Sequence, residues 1–283
     1  MSKRPLNWVL ATGDKIDLKK IDPKSTGEYT SKEDTEKETK ELMKRFEKLQ
    51  DKLFSSKKKS LLFIFQGMDC SGKDGVINKV FSISHPQGVQ THSFKTPTRE
   101  ELDHDFLWRA HKLVSGLGYI TAFNRSYYED VLITRVHKLI SDKKAQQRFK
   151  QIRHFEEMLD DNGVKVVKIF LHISKEFQLE KLIARIENPK KNWKFDESDL
   201  LERKSWDTYQ AYYEDVFANA ATKDHPWHIV SADNRWYRDL AVLQIVVRTL
   251  EDLDLSYPDP NPKLQDHLPD MYAEREKLLK DKK

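Results

Sequence analysis

Apolar residues recur along this chain in two rhythms, and the places where the rhythm changes mark out its elements. Short β-branched or aromatic runs at 61–65, 89–94, 119–124, 164–173 and 227–231 read as strands. Between them the apolar positions fall three and four apart, as helices require. Leu42, Phe46, Leu49 and Leu53 stripe a charged helix that a Thr30-x-x-Glu33 capping box would open. Val76, Ile77, Val80 and Phe81 give the helix after the first strand its apolar side, ending before Pro86. Thr98-x-x-Glu101 caps a helix predicted from Arg99 to about Val114. The segment Arg125 to His137 reads as helical, and Phe149, Ile152, Phe155 and Leu159 stripe another helix before Asn162-Gly163. Leu179, Leu182, Ile183 and Ile186 mark a helix stopped by Pro189, and Tyr237 to Leu253 form a closing apolar helix. Strands alternating with helices predict an α/β fold with a five-stranded parallel sheet covered on both faces.

Met1 to Tyr29 carry no clear periodicity, and from Asp254 onward prolines and charges predict a tail with a weak helix at its end. The organisation expected is an extension and helix at 1–55, one α/β domain at 56–254 and the tail at 255–283. No internal repeat and no low-complexity segment interrupts it.

The first strand runs directly into Gly67-Met68-Asp69-Cys70-Ser71-Gly72-Lys73, a G-x-x-x-x-G-K pattern that a helix follows. In that context the pattern is a phosphate cradle. Gly67 lets the chain turn, and Gly72 lets amides approach phosphate oxygens without a Cβ in the way. The helix start adds free N–H groups, with Asp74 and Gly75 in its first turn, and Lys73 adds a mobile point charge. Two positions depart from the common pattern. Asp74 stands where a Ser or Thr usually holds Mg2+, and Asp69 places a carboxylate inside the anion cradle. Like charges there call for a cation between them, so Asp69 reads as a metal ligand or as a carboxylate aimed at the reacting group. The plainer alternative for both aspartates is capping of the following helix.

Composition narrows the class. The chain has 283 residues, of which 38% are hydrophobic and 34% charged, so it can bury a core beneath a highly charged surface. A net charge of only +4 argues against a general nucleic-acid binder and leaves room for a local basic groove. Cys70 is the one cysteine, so no disulfide is expected. No run approaches transmembrane length, so no membrane partner is expected, and residues 1–20 lack a signal peptide's apolar core. The expected location is cytoplasmic. His104, His111, His137 and His154 show no metal-ligand spacing.

Two further stretches carry chemistry. Asn124 through Asp130, reading NRSYYED, follows the third strand, and ligands of open α/β sheets bind beyond the carboxyl ends of strands. Arg125 can fork onto a phosphate, while Glu129 and Asp130 can hold metal or orient a nucleotide. The alternative is a structural Arg125–Asp130 pair. The run Arg185 to Lys204 is dense in Lys and Arg and interleaved with Trp193 and Phe195. It stands where phosphoryl-transfer enzymes carry a mobile lid, expected at about 188–210, unless it is only a solvated face.

These residues resemble the polyphosphate kinase 2 family from about Ile16 to Tyr257. The matching runs are GMDCSGKDG at Gly67, HPQGV at His85, SFKTPT at Ser93, ELDHDFLWR at Glu101, FNRSYYEDV at Phe123, NWKF at Asn192 and PWHIVSAD at Pro226. The resemblance implies a P-loop three-layer fold, thymidylate-kinase-like, with a helical lid. It implies phosphoryl transfer with Mg2+ between inorganic polyphosphate and adenine nucleotides, in a dimer or tetramer. It further implies that Asp69, Lys73, Arg125 and Asp130 are active-site residues, with Asp69 and Asp130 on the metal and Arg125 and Glu129 on the nucleotide. Gly67, Gly72, Asp74, Gly75, Lys95 and the lid residues Arg185, Lys191, Lys194 and Arg203 would face phosphate. Cys70-Ser71 depart from the two alanines of many relatives, and Asn124 and Glu129 match the branch that phosphorylates both AMP and ADP. The rival readings are a nucleoside monophosphate kinase with ATP as donor and a non-catalytic phosphate-binding regulator.

Overall fold

A computed structural model describes residues 8–280. Its strands are β1 (Val9–Ala11), β2 (Ser60–Gln66), β3 (Val89–Ser93), β4 (Ile120–Asn124), β5 (Val164–His172) and β6 (Trp227–Ser231). The earlier helices are α1 (Glu33–Ser56), α2 (Lys73–Phe81), α3 (Arg99–Asp103), α4 (Trp108–His111), α5 (Ile133–Val136) and α6 (Asp142–Asp161). The later ones are α7 (Lys175–Glu187), α8 (Glu197–Lys204), α9 (Trp206–Ala220), α10 (Arg235–Asp252) and α11 (Leu268–Lys280).

Every side chain of β2 is buried, as its unbroken apolar run requires of a strand covered on both faces. It lies between β4 and β5 in a sheet ordered β1-β6-β5-β2-β4-β3. The five strands expected are all present and mutually parallel, but the sheet has six and is mixed. The addition is β1, antiparallel to β6, with Val9 opposite Ile229. Three residues, two of them exposed, are too short a run to show a period of two, and β6 supplies their register.

Register also sorts the layers. Phe65 pairs with Ile169 and so shares its face, which leaves Phe170 on the opposite one. Phe63 and Phe65 meet Phe81 of α2, which in turn meets Phe46 of α1, and α10 packs against both helices. Phe170 meets Tyr213 and Phe217 of α9, which packs on α6. Ala11, Leu18, Phe46 and Leu53 join the same core as the strands, so the chain before the phosphate loop is part of that core.

Local predictions fail where side chains compete for the backbone. Thr30 does not cap α1; its amide and hydroxyl both donate to Asp34, and the helix starts from Lys32. The Thr98–Glu101 capping box does form. The helix it opens breaks at His104, because Asp105 accepts from the amides of Leu107 and Trp108 and starts a new turn. Arg125 to His137 is a 3-10 helix at Tyr127–Val131 followed by the short α5, not one α-helix. Among the described residues no helix is long and apolar enough to cross a membrane.

Candidate active site

Register alone brings the loop and the NRSYYED segment together, since Phe65 sits opposite Asn124 at the carboxyl edge of β2 and β4. The loop turns through positive φ at Gly67 (149°), Cys70 (67°) and Gly72 (88°). A Cβ on Gly67 would stand 2.7 Å from the Leu171 carbonyl, and one on Gly72 would stand 2.0 Å from Arg238 Nη1. Gly67 is therefore required by close approach to backbone, and Gly72 chiefly by its left-handed φ, since the Arg238 side chain could move aside. Helix α2 opens from Gly72 with no side-chain cap, so its first amides stay available to an anion. Neither aspartate caps it.

Lys73 is not the mobile, solvated charge that its position suggests. It is 7% exposed, and its ammonium donates to the carbonyls of Gly67 at 2.8 Å and Met68 at 3.2 Å. Burial, with the charge of Arg125 second, pulls its pKa down to about 8. Asp69 forms an ion pair with Arg125, which also meets Glu129 at 3.6 Å. The charge of Glu129, ahead of that of Asp69, holds the guanidinium well above its ordinary pKa. Arg125 itself stands at φ 61°, a conformation that costs a non-glycine residue energy and is kept here by the pairs it makes. Asp74 accepts from Asn124 Nδ2 at 2.5 Å, tying the first turn of α2 to the end of β4. Burial pushes the Cys70 thiol up to about 11, so it is a poor nucleophile.

A cavity of about 550 Å3 opens over the loop. Asp69, Gly72, Lys73, Asp74, Gly75 and Arg125 line one side, with Arg185 at the end of α7 and Lys191 and Lys194 of the 3-10 turn that follows it on another. Lys181, Arg235 and Arg238 complete it, and composition gave no hint of these three. Arg235 and Arg238 lie in the first turn of α10, just past β6, so the carboxyl-edge rule would have found them.

Other expected residues stand apart from the lining. Gly67 lies beneath the loop and Glu129 behind Arg125. Lys95 is exposed past β3, where its carbonyl accepts from Arg109 at 2.9 Å. Asp130 faces Arg148 at 3.5 Å instead of Arg125, and burial raises its carboxyl to about 6. Arg203 points inward, donating to the Lys175 carbonyl at 2.8 Å and to Gln178 Oε1 at 2.9 Å. Among the described residues no three His, Cys, Asp or Glu gather as a metal site. Mg2+ needs only one or two carboxylates beside substrate phosphates, and Asp69 at the cavity wall offers hard oxygen donors of that kind.

A glycine-lysine loop at a strand's carboxyl edge, beneath basic side chains, marks an α/β protein with a site suited to phosphate. The chain belongs to the Polyphosphate kinase 2 (PPK2) family, whose profile matches residues 29–258. It is 42% identical to the ADP-polyphosphate phosphotransferase of Rhodopseudomonas palustris, over 95% of this chain and 96% of that one. It is also 42% identical to the AMP/ADP-polyphosphate phosphotransferase of Meiothermus ruber, over 87% and 92%. The crystal structure of Polyphosphate Kinase 2 from Arthrobacter aurescens TC1 superposes with a TM-score of 0.87 at 40% identity, covering 91% of this chain and 94% of that one.

Proposed function

We propose that this chain is a polyphosphate-dependent nucleotide kinase. It moves the terminal phosphoryl group of inorganic polyphosphate to ADP, and to AMP, and works in both directions. The observation that carries this reading is the charge of the cavity: eight Lys and Arg side chains against two carboxylates. A short nucleotide phosphate does not call for so many cations, whereas a polyanion does. The names of the relatives in Rhodopseudomonas palustris and Meiothermus ruber support the same donor and acceptors.

On this reading the amides that open α2 and the Lys73 ammonium hold the donor end of the chain. Arg125 and Arg185 spread their charge over the transferring phosphoryl group, and the lid residues Lys191 and Lys194 close over it and thin the water. Lys181, Arg235 and Arg238 extend the basic wall, so that successive phosphates stay neutralised while one is passed on. Little covalent work falls to the protein; position and fixed charge carry the rate. Asp69 would hold Mg2+, which when bound offsets charge between donor and acceptor oxygens. On this reading the fold is a thymidylate-kinase-like P-loop fold with a helical lid.

The test is incubation with ADP and Mg2+, with and without polyphosphate. ATP formed only with the polymer is the expected result. ATP formed from two ADP alone, or AMP phosphorylated only by ATP, would favour an ordinary monophosphate kinase. No transfer at all would leave a phosphate-binding regulator.

A further inference from the structure

Gln178, in the first turn of α7, is 1% exposed, and its amide is bonded at both ends. Nε2 donates to the backbone carbonyl of Asp69 at 3.1 Å, and Oε1 accepts from Arg203 of α8 at 2.9 Å. The opposite orientation would set oxygen against a carbonyl and an amide NH2 against a guanidinium, so the partners fix it. The lid touches α7 at two places. Near Arg185 the contacts are local, with Asp199 at 3.0 Å and the Lys194 carbonyl at 3.1 Å. Near Gln178 they continue, through one side chain, into the phosphate loop.

We propose that Gln178 is a positioning residue that couples the lid helix α8 to the Asp69 peptide. Its carbonyl is matched only while Arg203 is docked, and its NH2 steadies a peptide whose next residue, Cys70, sits at φ 67°. When α8 lifts, Gln178 loses the guanidinium that fixes its rotamer, and the Asp69 peptide loses its donor. The Asp69 carboxylate is then aimed only when the lid is down. Arg203, expected on the polymer, instead transmits lid closure. The kinetic part of this inference rests on the function proposed above; the coupling itself does not.

The experiment reads both ends. Hydrogen exchange follows the amides of 197–204, and the labelling rate of Cys70, the single cysteine, follows the loop. Gln178→Met, which keeps length without an amide, should speed both readouts by about tenfold, the worth of one buried hydrogen bond. Gln178→Glu keeps an acceptor for Arg203 but sets a carboxylate oxygen against the Asp69 carbonyl. It should speed Cys70 labelling while leaving α8 protected, and it answers the question if Gln178→Met does not fold. In the double variant Gln178→Met with Arg203→Met, Cys70 should label no faster than in Gln178→Met alone, because only the Gln178 bond carries Arg203 to the loop; α8 should exchange faster still, since Arg203 also loses the Lys175 carbonyl. In polyphosphate-driven turnover each variant should lower kcat with the salt dependence of the polymer KM unchanged. Coupling is refuted if Gln178→Met moves one readout without the other, or if the two variants add in Cys70 labelling. A salt slope lowered by about one in Arg203→Met would return that residue to the polymer. An inactive wild type would remove the proposed function and leave the exchange and labelling results to decide the coupling.

Discussion

Lys73 should govern how this protein responds to alkali. Its ammonium is buried among carbonyls, and its pKa lies at about 8 in place of the ordinary 10.5. A base whose folded-state pKa is depressed contributes stability that is present above the unfolded value and lost as pH falls through about 8. The gap between the two values corresponds to roughly 3 kcal/mol. Between about pH 7 and about pH 9.5, roughly 2 kcal/mol of it should be visible. Urea unfolding of the wild type and Lys73→Met at both pH values isolates this group, since all others titrate in both proteins. The wild type should gain roughly 2 kcal/mol on the variant in going to the higher pH. Lys73→Met should fold, because deleting a buried charge offsets the two hydrogen bonds it loses. A bound phosphate chain gives the ammonium its missing anion, so tripolyphosphate binding should take up a proton above about pH 8 and weaken there by up to about tenfold per pH unit. Equal pH responses of the two proteins would refute a buried, charged Lys73. Turnover of the folded variant within about tenfold of wild type would remove the phosphate loop from the reaction.

Four further outcomes are expected. Asp69→Asn should lower kcat by about 10²–10³-fold, with part of the loss recovered at high Mg2+; an unchanged rate and Mg2+ dependence would leave Asp69 only its ion pair with Arg125. Lys191→Ala with Lys194→Ala should raise the KM for long polyphosphate far more than that for ADP and flatten its salt dependence, because a polyanion releases counterions at each contact. Gly72→Ala should impair phosphate binding measured by calorimetry, since the new Cβ falls 2.0 Å from Arg238 Nη1 at a φ of +88°. Glu156→Ala should cost roughly 3–5 kcal/mol in urea unfolding, because it strands the Lys168 ammonium, now 2.6 Å from Glu156, inside the core.

What the sequence revealed, and what it hid, follows from how local each signal is. The β2 run, its glycine-lysine loop and the NRSYYED turn are contiguous, and strand register then brings them together without further information. The inner helices were legible from their stripes because burial imposes the period. Asp105 was not, since an aspartate that captures two amides and breaks a helix looks the same as one that decorates it. Arg203 and Lys194 belong to one basic run, yet only Lys194 faces the cavity. Composition cannot distinguish them; Lys194 ends the 3-10 turn before α8, whereas Arg203 lies in α8 where it docks on α7. Lys168 shows the same limit from the other side. Nothing in the apolar run of β5 tells where this lysine goes, and it is fully buried on Glu156, with Tyr127 and Tyr128 bonded to the same carboxylate.

The acidic residues of the loop divide their work along similar lines. Where P-loop proteins commonly place a hydroxyl after the lysine, Asp74 is bonded to Asn124 and serves to hold α2 against β4. That leaves Asp69 as the loop carboxylate still able to turn toward a ligand, and its present partner is Arg125. On the function proposed above, this ion pair is a resting arrangement of the two groups the reaction needs apart. Polyphosphate in the cavity competes for the guanidinium, and a divalent cation competes for the carboxylate. Neither alone frees both. Polymer and Mg2+ should therefore bind with positive cooperativity, each tightening the other by the same factor, as linkage demands. Titrating tripolyphosphate at low and at saturating Mg2+ measures that factor directly, with Asp69→Asn as the control. In the variant Arg125 keeps only its longer pair with Glu129 at 3.6 Å, so the polymer should bind more tightly without metal and the factor should fall toward one. A factor unchanged by Asp69→Asn would mean that the cation acts on the free polymer in solution and not at this pair.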